Sequence, residues 1–282
     1  MKLLVCGASG YIGQPLVDRA RGRFDVLPTS SSGKAGTLPL DLAQPERFDY
    51  RCVGERDVVI LAAAISAPDV CANERARALA VNVSGTGEFV ERLLQRGARV
   101  IFLSSDTVYG QQSQPFDESA PCQPAGDYAQ MKHEVEQRFC AEPSFKSLRL
   151  SYVFSRDDKF TRYLDSCRLK GSTAEVFDPF DRAVVHREDV IEAALNLAQQ
   201  WDRHGQAVFN VGGPQLVSRV SMAHTLRDCA WPGLKIAVVK PGEDFFANRP
   251  RSILMRSPRL EALLGRPART LPEAVALELD LT

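Results

Sequence analysis

Residues 2–13 read KLLVCGASGYIG, a short apolar run followed by three glycines spaced three residues apart. The apolar run is continuous, as expected for a parallel strand buried on both faces. The glycines permit a tight turn, a close approach of the backbone to a pyrophosphate, and close packing of the following helix, whose N-terminus attracts phosphate. The stretch therefore predicts a dinucleotide site. Its predicted cofactor contacts are Gly7, Ser9, Gly10, Tyr11, Ile12 and Gly13.

The same alternation of apolar runs and helical segments continues through the first half of the chain. It predicts an α/β fold with a Rossmann-type, doubly wound parallel sheet. Predicted strands cover 2–6, 24–27, 57–62, 99–104 and 147–152, and predicted helices cover 12–21, 73–96 and 127–140. After residue 151 the pattern changes to helices over 160–170, 188–201 and 221–230 with a strand over 207–211. We expect a cofactor domain over 1–150 and a smaller C-terminal α/β substrate domain over 151–282, with segments of the latter returning to the sheet.

Composition excludes several classes of protein. Lys plus Arg and Asp plus Glu both number 35, so no global field recruits nucleic acid or an acidic membrane. The apolar run near the N-terminus is too short for a signal peptide, and no stretch approaches the roughly 18–20 apolar residues of a membrane span. The seven cysteines and four histidines are dispersed, which predicts free thiols and no metal site. We expect a cytoplasmic protein.

The end of the second strand normally selects the cofactor, because a carboxylate there binds the ribose 2′-hydroxyl of NAD. Residues 26–34 read VLPTSSSGK, with no carboxylate after Leu27. Hydroxyls and a lysine suit a 2′-phosphate better, although a polar loop that ignores the ribose would look the same. NADP(H) is favoured, and NAD(H) stays an open alternative. The further predicted cofactor contacts are Thr29, Ser30, Ser31 and Lys34 near the ribose, Asp41 and Leu42 near the adenine, and Ala62, Ala63 and Ala64 at the end of a later strand.

Tyr128 and Lys132 lie four residues apart on a predicted helix and therefore share one face. An ammonium beside a phenol favours the phenolate, so we expect the pKa of Tyr128 to be lowered. Upstream, the hydroxyls of Ser104 and Ser105 fall at the carboxyl end of a strand, the edge at which open α/β sheets bind ligands. The three features together predict an acid–base site.

These motifs resemble the extended short-chain dehydrogenase/reductase family, and in pattern its dTDP-4-dehydrorhamnose reductase-like members. The resemblance implies that Ser105 orients the substrate carbonyl, that Tyr128 transfers the proton, and that Lys132 holds the nicotinamide ribose. Asn82, in the stretch VNVSGT, resembles a helix motif of that family and is assigned to the cofactor site. Such enzymes commonly form homodimers through two long helices, here 73–96 and 127–140.

The resemblance extends into the second half. Residues 182–190, RAVVHREDV, are similar to a segment in which nucleotide-sugar enzymes bind diphosphate through the arginine. Residues 249–254, RPRSIL, resemble the C-terminal pattern of dehydrorhamnose reductases. Structural ion pairs would explain these arginines equally well when each is taken alone. The substrate contacts implied are Ser105, Asp106, Thr107, Arg182 and Arg249.

The residues after Ser105 bear on the reaction. The 4,6-dehydratases resemble one another in carrying an Asp–Glu pair at these positions as acid and base. Here Asp106 is followed by Thr107, so the base expected for dehydration is missing. The aspartate is typical of reductases and the threonine of 4-epimerases. We predict an NADPH-dependent reductase of a small carbonyl substrate, a nucleotide-linked 4-keto-sugar in the first instance. The alternatives are a nucleotide-sugar 4-epimerase and a non-enzymatic NADP(H)-binding regulatory subunit, against which the intact Ser, Tyr and Lys set argues.

Overall fold

The computed structural model describes residues 1–112 and 114–280. The strands are β1 Lys2–Cys6, β2 Asp25–Ser30, β3 Leu38–Pro39, β4 Val58–Leu61, β5 Arg99–Ser105, β6 Phe145–Leu150, β7 Val153–Phe154, β8 Thr173–Phe177, β9 Asp181–Ala183, β10 Val185–His186, β11 Val208–Val211, β12 Leu216–Ser218 and β13 Lys235–Val239. The helices are α1 Gly13–Ala20, α2 Pro68–Asn73, α3 Arg75–Leu79, α4 Thr86–Gln95, α5 Asp127–Phe139, α6 Lys159–Lys170, α7 Arg187–Gln199, α8 Arg219–Cys229, α9 Glu243–Phe246, α10 Leu260–Leu264 and α11 Leu271–Glu278.

The central sheet has seven parallel strands in the order β11–β6–β5–β4–β1–β2–β3. The chain starts in the middle at β1, runs outward to β3 and then returns to β4 on the other side. This reversal between β1 and β4 is the switch point at which such sheets bind ligands beyond the carboxyl ends of their strands. The predicted Rossmann-type α/β fold is confirmed.

Both faces of the sheet are covered, which explains why its strands read as continuous apolar runs. In β1, Leu3 and Val5 belong to a cluster that includes side chains of α1, α7 and α10. Leu4 and Cys6, between them in sequence, belong to a second cluster with side chains of α4 and α5. The alternation of side chains along a strand therefore supplies both halves of the core.

The predicted helix over 73–96 is wrong as a single element. The structure has α2, α3, a π-helical turn over Ala80–Gly85, and α4 in its place. The Cβ of any residue other than glycine at position 85 would collide with the carbonyl oxygen of Leu42, so the backbone approaches here as only glycine allows. The close packing of Gly85 against Leu42 coincides with the wider π-helical turn. The spacing of apolar residues along the sequence does not reveal such a turn.

The second half of the chain contributes β11 to the main sheet, beside β6. Its other strands form three two-stranded sheets, β7–β10, β9–β12 and β8–β13. A third apolar cluster joins side chains of α6, α8 and α11 to those of β8. Within the described residues, none of the helices has the length and apolar character needed to cross a membrane.

Candidate active site

The glycine-rich turn joins β1 to α1. Gly7 has a positive φ of 84°, and a Cβ there would come within 3.0 Å of the backbone of Ala63, at the end of β4. A Cβ at Gly13 would collide with the carbonyl of Gly7. No side chain caps the N-terminus of α1, and its first turn carries no acidic residue. This positive helix end, next to the cleft lined by residues 9–12, fits the pyrophosphate of a dinucleotide.

We expect Gly13→Ala to weaken cofactor binding at least tenfold, because α1 must move away from the Gly7 carbonyl and take its N–H groups with it. Titration of the purified variant with NADPH, followed by fluorescence, measures this. Gly205→Ala is the matched control, since its Cβ would meet nothing within 4 Å. Equal NADPH affinity in the two variants would show that the close packing is not needed.

The four residues predicted to contact the ribose differ in their exposure. Thr29 is fully buried in β2, so its side chain is out of reach of a ligand. Ser30 is also buried, and its hydroxyl bonds to that of Thr37 at 2.7 Å. Ser31 and Lys34, in contrast, are exposed in the loop after β2. Of the four side chains, only those of Ser31 and Lys34 are therefore accessible to a ligand.

Two further segments border the proposed cofactor site. Asp41 is exposed and accepts a hydrogen bond from the Ala43 N–H at 2.9 Å, whereas Leu42 is buried in the core. Residues 62–64 are half-buried and follow β4, as the small side chains predicted.

Asn82 is only 3% exposed, and its side-chain amide is engaged by the protein itself. It accepts from the N–H of Ile65 and donates to the carbonyl of Ile65, both at 2.9 Å. Ile65 lies directly after the small residues 62–64. Asn82 therefore fixes the loop that borders the cofactor site, and the prediction of a direct cofactor contact is replaced by this positioning role.

A cleft of about 950 Å³ lies beyond the carboxyl ends of the central strands. It extends from the glycine-rich turn, past the end of β5, to side chains from the second half of the chain. Its lining includes Ser9, Gly10, Tyr11, Ile12, Ser105, Asp106, Thr107, Tyr152, Phe180, Arg182, Arg187, Arg219 and Arg249. The cleft thus brings the predicted pyrophosphate and substrate contacts into one space.

Ser105 ends β5 and caps the 3₁₀ turn that follows. Its Oγ accepts hydrogen bonds from the backbone N–H and the hydroxyl of Thr107, at 3.2 and 2.9 Å. The neighbouring Asp106 is buried and accepts a hydrogen bond from Ser151 Oγ at 2.7 Å. Burial raises the pKa of Asp106, while the guanidinium of Arg182, 3.9 Å away, opposes the rise.

Tyr128 and Lys132 lie on α5, beside the end of β5. Lys132 is buried, and its Nζ donates to the carbonyl of Leu103 at 2.8 Å and lies 6.0 Å from the centre of the Tyr128 ring. Burial lowers the pKa of Lys132 to about 8. Burial also raises the pKa of Tyr128 well above its usual value of 10, with Cys71 and Asp106 adding to the rise and the Ser105 hydroxyl opposing it. The predicted lowering of this pKa is wrong for this structure, because burial dominates and the contribution that opposes it comes from the Ser105 hydroxyl rather than from Lys132. The phenol is protonated at neutral pH.

Arg182 is not free to extend toward a ligand. It is 5% exposed, and its terminal nitrogens donate to the carbonyls of Asp181, Pro250 and Arg251 at 2.7 to 3.1 Å. Three of its five N–H groups therefore donate hydrogen bonds to main-chain carbonyls, and its Nε lies near Asp106. The prediction of a diphosphate contact at Arg182 has to be corrected to a structural role that fixes the C-terminal segment to the floor of the cleft.

Arg249 joins the two halves of the chain across the cleft. Its Nη2 donates to both carboxylate oxygens of Asp69, at 2.7 and 2.8 Å, and Asp69 lies on α2 in the first half. A second hydrogen bond runs from Nη1 to the carbonyl of Phe245. Arg249 does line the cleft as predicted, although its charge is shared with Asp69.

Sequence reasoning missed several residues of the cleft. Arg219, at the start of α8, packs its guanidinium against three aromatic rings of the wall. Arg187 stacks over the ring of Tyr11 at 5.0 Å, and the Tyr11 hydroxyl donates to the carbonyl of Val153 at 3.1 Å. Arg187 and Arg219, to which the sequence assigned no role, open two different helices, so only the folded chain brings them to the cleft beside the predicted Tyr11.

Three side chains that could bind a metal also meet away from the cleft. Cys122, His133 and Glu136 each present a ligand atom within 4.8 Å of the others, which their sequence positions did not indicate. The Glu136 carboxylate already accepts three hydrogen bonds from Arg149, at 2.6 to 3.1 Å. A guanidinium in that position neutralises the carboxylate and repels a cation, so the trio is a poor metal site.

A family model described as the RmlD substrate binding domain matches residues 1–281. The chain belongs to this family. It is 28% identical over 234 residues to a dTDP-4-dehydrorhamnose reductase of Mycobacterium tuberculosis, covering 80% of this chain and 74% of that protein. It is also 22% identical over 286 residues to methionine adenosyltransferase 2 subunit beta of Bos taurus, covering 93% and 82%.

Solved structures agree on the fold. A dTDP-4-dehydrorhamnose reductase from Clostridium acetobutylicum superposes with a TM-score of 0.85 at 21% identity, covering 100% of this chain and 99% of that one. MoeE5 in complex with UDP-glucuronic acid and NAD gives 0.81 at 24% identity, covering 99% and 98%. The family assignment confirms the predicted relationship to the extended short-chain dehydrogenases/reductases, and the chain is an oxidoreductase of that group.

Proposed function

We propose that this oxidoreductase reduces the carbonyl group of a nucleotide-linked 4-keto-sugar with NADPH. The observation that carries the proposal is that the Tyr128 phenol lies within reach of Ser105, with Lys132 on the same helix, and that Ser105 lines the cleft that also contains the glycine-rich turn. The similarity to a dTDP-4-dehydrorhamnose reductase supports the substrate class. The cleft of about 950 Å³ lies at the upper end of the volumes typical of small-molecule sites.

In the proposed reaction, NADPH supplies the hydride to the carbonyl carbon. The Ser105 hydroxyl donates a hydrogen bond to the carbonyl oxygen and orients it toward Tyr128. The phenol of Tyr128, protonated because burial raises its pKa, gives its proton to the oxygen as the hydride arrives. Lys132 holds the ribose of the nicotinamide, and its charge stabilises the phenolate that remains. Products are the sugar alcohol and NADP⁺.

The cofactor preference is assigned to the exposed loop after β2. Lys34 is exposed there, and its ammonium would attract a 2′-phosphate, which NADH lacks. We expect Lys34→Ala to raise the KM for NADPH about tenfold and to leave the KM for NADH within about twofold. Steady-state kinetics with each cofactor measure this. Lys240→Ala, a lysine outside the cleft lining, is the control, and equal effects on NADPH and NADH would contradict the assignment.

A 4-epimerase is the second candidate, favoured by one contact. The Thr107 hydroxyl donates to Ser105 Oγ at 2.9 Å and therefore lies beside the reacting carbonyl, as the epimerase-like motif implies. An epimerase returns the hydride to its own substrate and consumes no NADPH.

Incubation with NADPH and a panel of dTDP- and UDP-linked 4-keto-sugars tests the proposal. Stoichiometric loss of absorbance at ~340 nm supports a reductase. In a parallel incubation with NAD⁺ and UDP-linked hexoses, interconversion of the C4 epimers without net change of the cofactor would point to an epimerase. Cofactor binding without either reaction would point to a regulatory subunit.

A homodimer is also proposed, with α4 and α5 as its surface. The ion pair between Arg138 of α5 and Glu91 of α4 holds these helices together on their half-exposed side. Light scattering after size exclusion measures the assembly, and a monomer at micromolar concentration would contradict it.

A further inference from the structure

We propose that Arg219 is the residue that binds the diphosphate of the substrate, in a subsite on the wall of the cleft formed by Tyr152, Phe160 and Phe180. This inference rests on the proposed function, since it supplies the anion contact that a nucleotide-linked substrate requires. It assigns to Arg219 the part that the sequence pattern gave to Arg182.

Aromatic side chains hold the guanidinium of Arg219 in place, and they do not neutralise its charge. The guanidinium lies 5.1, 4.4 and 4.9 Å from the ring centres of Tyr152, Phe160 and Phe180. Stacking on aromatic faces orients the planar fork and leaves its edge directed elsewhere. Among the described residues, no carboxylate lies within 4 Å of Arg219, whereas Arg182 and Arg249 have Asp106 and Asp69.

The nearest buried carboxylate, that of Asp158, is committed to other donors. It accepts hydrogen bonds from the hydroxyl of Tyr152 at 2.5 Å and from the N–H groups of Phe160 and Thr161 at 2.9 and 3.0 Å. These contacts cap α6, so Asp158 cannot turn toward Arg219 without uncapping the helix. Asp158 therefore attracts Arg219 without forming an ion pair with it, which leaves the edge of the guanidinium available to a bound anion.

Neighbouring arginines strengthen the field at this end of the cleft. Arg182 and Arg219 pack against the same ring, that of Phe180, at 4.3 and 4.9 Å from its centre. Burial lowers the pKa of Arg219, while Tyr152 and Asp158 oppose this and the positive charge of Arg249 adds to it. Burial likewise lowers the pKa of Arg182, while Asp106 opposes this and the charges of Arg219 and Arg249 add to it. An anion bound among these groups relieves both the desolvation and the mutual repulsion.

The position of the subsite fits a sugar nucleotide. Arg182 Nε lies 3.9 Å from Asp106, which is adjacent to Ser105, and Arg219 packs against the same Phe180 ring as Arg182. A sugar whose carbonyl contacts Ser105 would therefore direct its diphosphate toward Arg219. A planar guanidinium can bind two phosphate oxygens at once, which gives both affinity and register.

The test uses Arg219→Met, which keeps an apolar stem against the aromatic rings and removes the charge. Binding of dTDP, UDP and thymidine to the NADP⁺-loaded protein is measured by calorimetry, together with KM and kcat for the accepted substrate. We expect the Kd for the nucleoside diphosphate and the KM to rise about 10–100-fold, with kcat within about threefold and thymidine binding unchanged. Arg227→Met, on the same helix and outside the cleft lining, is the control and is expected to behave as the wild type.

Arg219→Lys covers the case in which the methionine variant does not fold. It keeps the charge but loses the fork, so we expect several-fold weaker diphosphate binding. Wild-type turnover of a nucleotide-linked substrate with an unchanged Kd and KM in the Arg219 variants would overturn the inference and leave the proposed function standing. A wild-type protein that neither binds the nucleoside diphosphates nor reduces their 4-keto-sugars would overturn both.

Discussion

Tyr128→Phe is expected to lower kcat by about 10²–10⁴-fold while leaving the affinity for NADPH within about twofold. The substitution removes one oxygen and keeps the ring that packs beside Cys71 and Met131. Because burial raises the pKa of Tyr128, the wild-type phenol carries its proton at neutral pH and is ready to donate it to the developing alkoxide. Without that hydroxyl, the proton has to come from water or from a less well placed acid. Steady-state kinetics and NADPH titration of the purified variant measure the two quantities.

Tyr109→Phe serves as the matched control for the loss of a buried hydroxyl. The Tyr109 hydroxyl donates to Asn210 Oδ1 at 2.7 Å, whereas the Tyr128 phenol lies within hydrogen-bonding reach of Ser105. We expect this variant to lose some stability and to keep kcat within about threefold. A Tyr128→Phe enzyme that retained most of its kcat would assign the proton to another group, with Asp106 the nearest carboxyl whose pKa is raised.

Arg149→Met is expected to be the most destabilising of the substitutions considered, at about 3–5 kcal/mol in the free energy of unfolding. Arg149 on β6 and Glu136 on α5 form an ion pair whose side chains are only 7% and 4% exposed. Removing the guanidinium leaves a buried carboxylate without its partner. Chemical denaturation measures the loss, which is a large share of the roughly 5–15 kcal/mol typical of folded proteins. Cofactor binding is expected to weaken as well, since α5 carries Lys132.

Two further variants separate the charge effect from packing. In Arg149→Met combined with Glu136→Met no charge is left buried, so we expect most of the lost stability to return. Arg138→Met breaks an ion pair with Glu91 that is 40% and 46% exposed, and it should cost no more than about 1 kcal/mol. If the double variant were no more stable than Arg149→Met alone, packing rather than the unpaired charge would be the cause.

The fold could be predicted from the sequence because its signals are local. The apolar run of β1 and the glycines after it place a strand, a turn and a helix within residues 2–20, and the structure has β1 and α1 there. The Tyr128–Lys132 spacing predicted one helix face, and α5 carries both. The predicted helix over 73–96 was wrong because a non-local contact, between Gly85 and the carbonyl of Leu42, accompanies a different backbone turn.

The electrostatics of the site could not be predicted in the same way. Spacing alone places an ammonium near the Tyr128 phenol and predicts a lowered pKa, but burial depends on the whole fold and raises it. The motif around Arg182 indicates an arginine at the site, yet the main-chain carbonyls that occupy it come from residues 181, 250 and 251. In the sequence, nothing distinguishes Arg219 from a surface arginine at the start of a helix. Only the folded structure shows the three aromatic rings that surround its guanidinium.

The most direct test of the proposed function follows the hydride itself. NADPH carrying deuterium at the transferred position of nicotinamide C4 is incubated with the protein and a dTDP-linked 4-keto-sugar, and the product is examined by mass spectrometry and NMR. We predict that one deuterium appears on C4 of the sugar, that NADP⁺ forms in equal amount, and that Tyr128→Phe abolishes most of the transfer. A protein that binds NADPH but leaves the sugar unlabelled would contradict the reductase assignment.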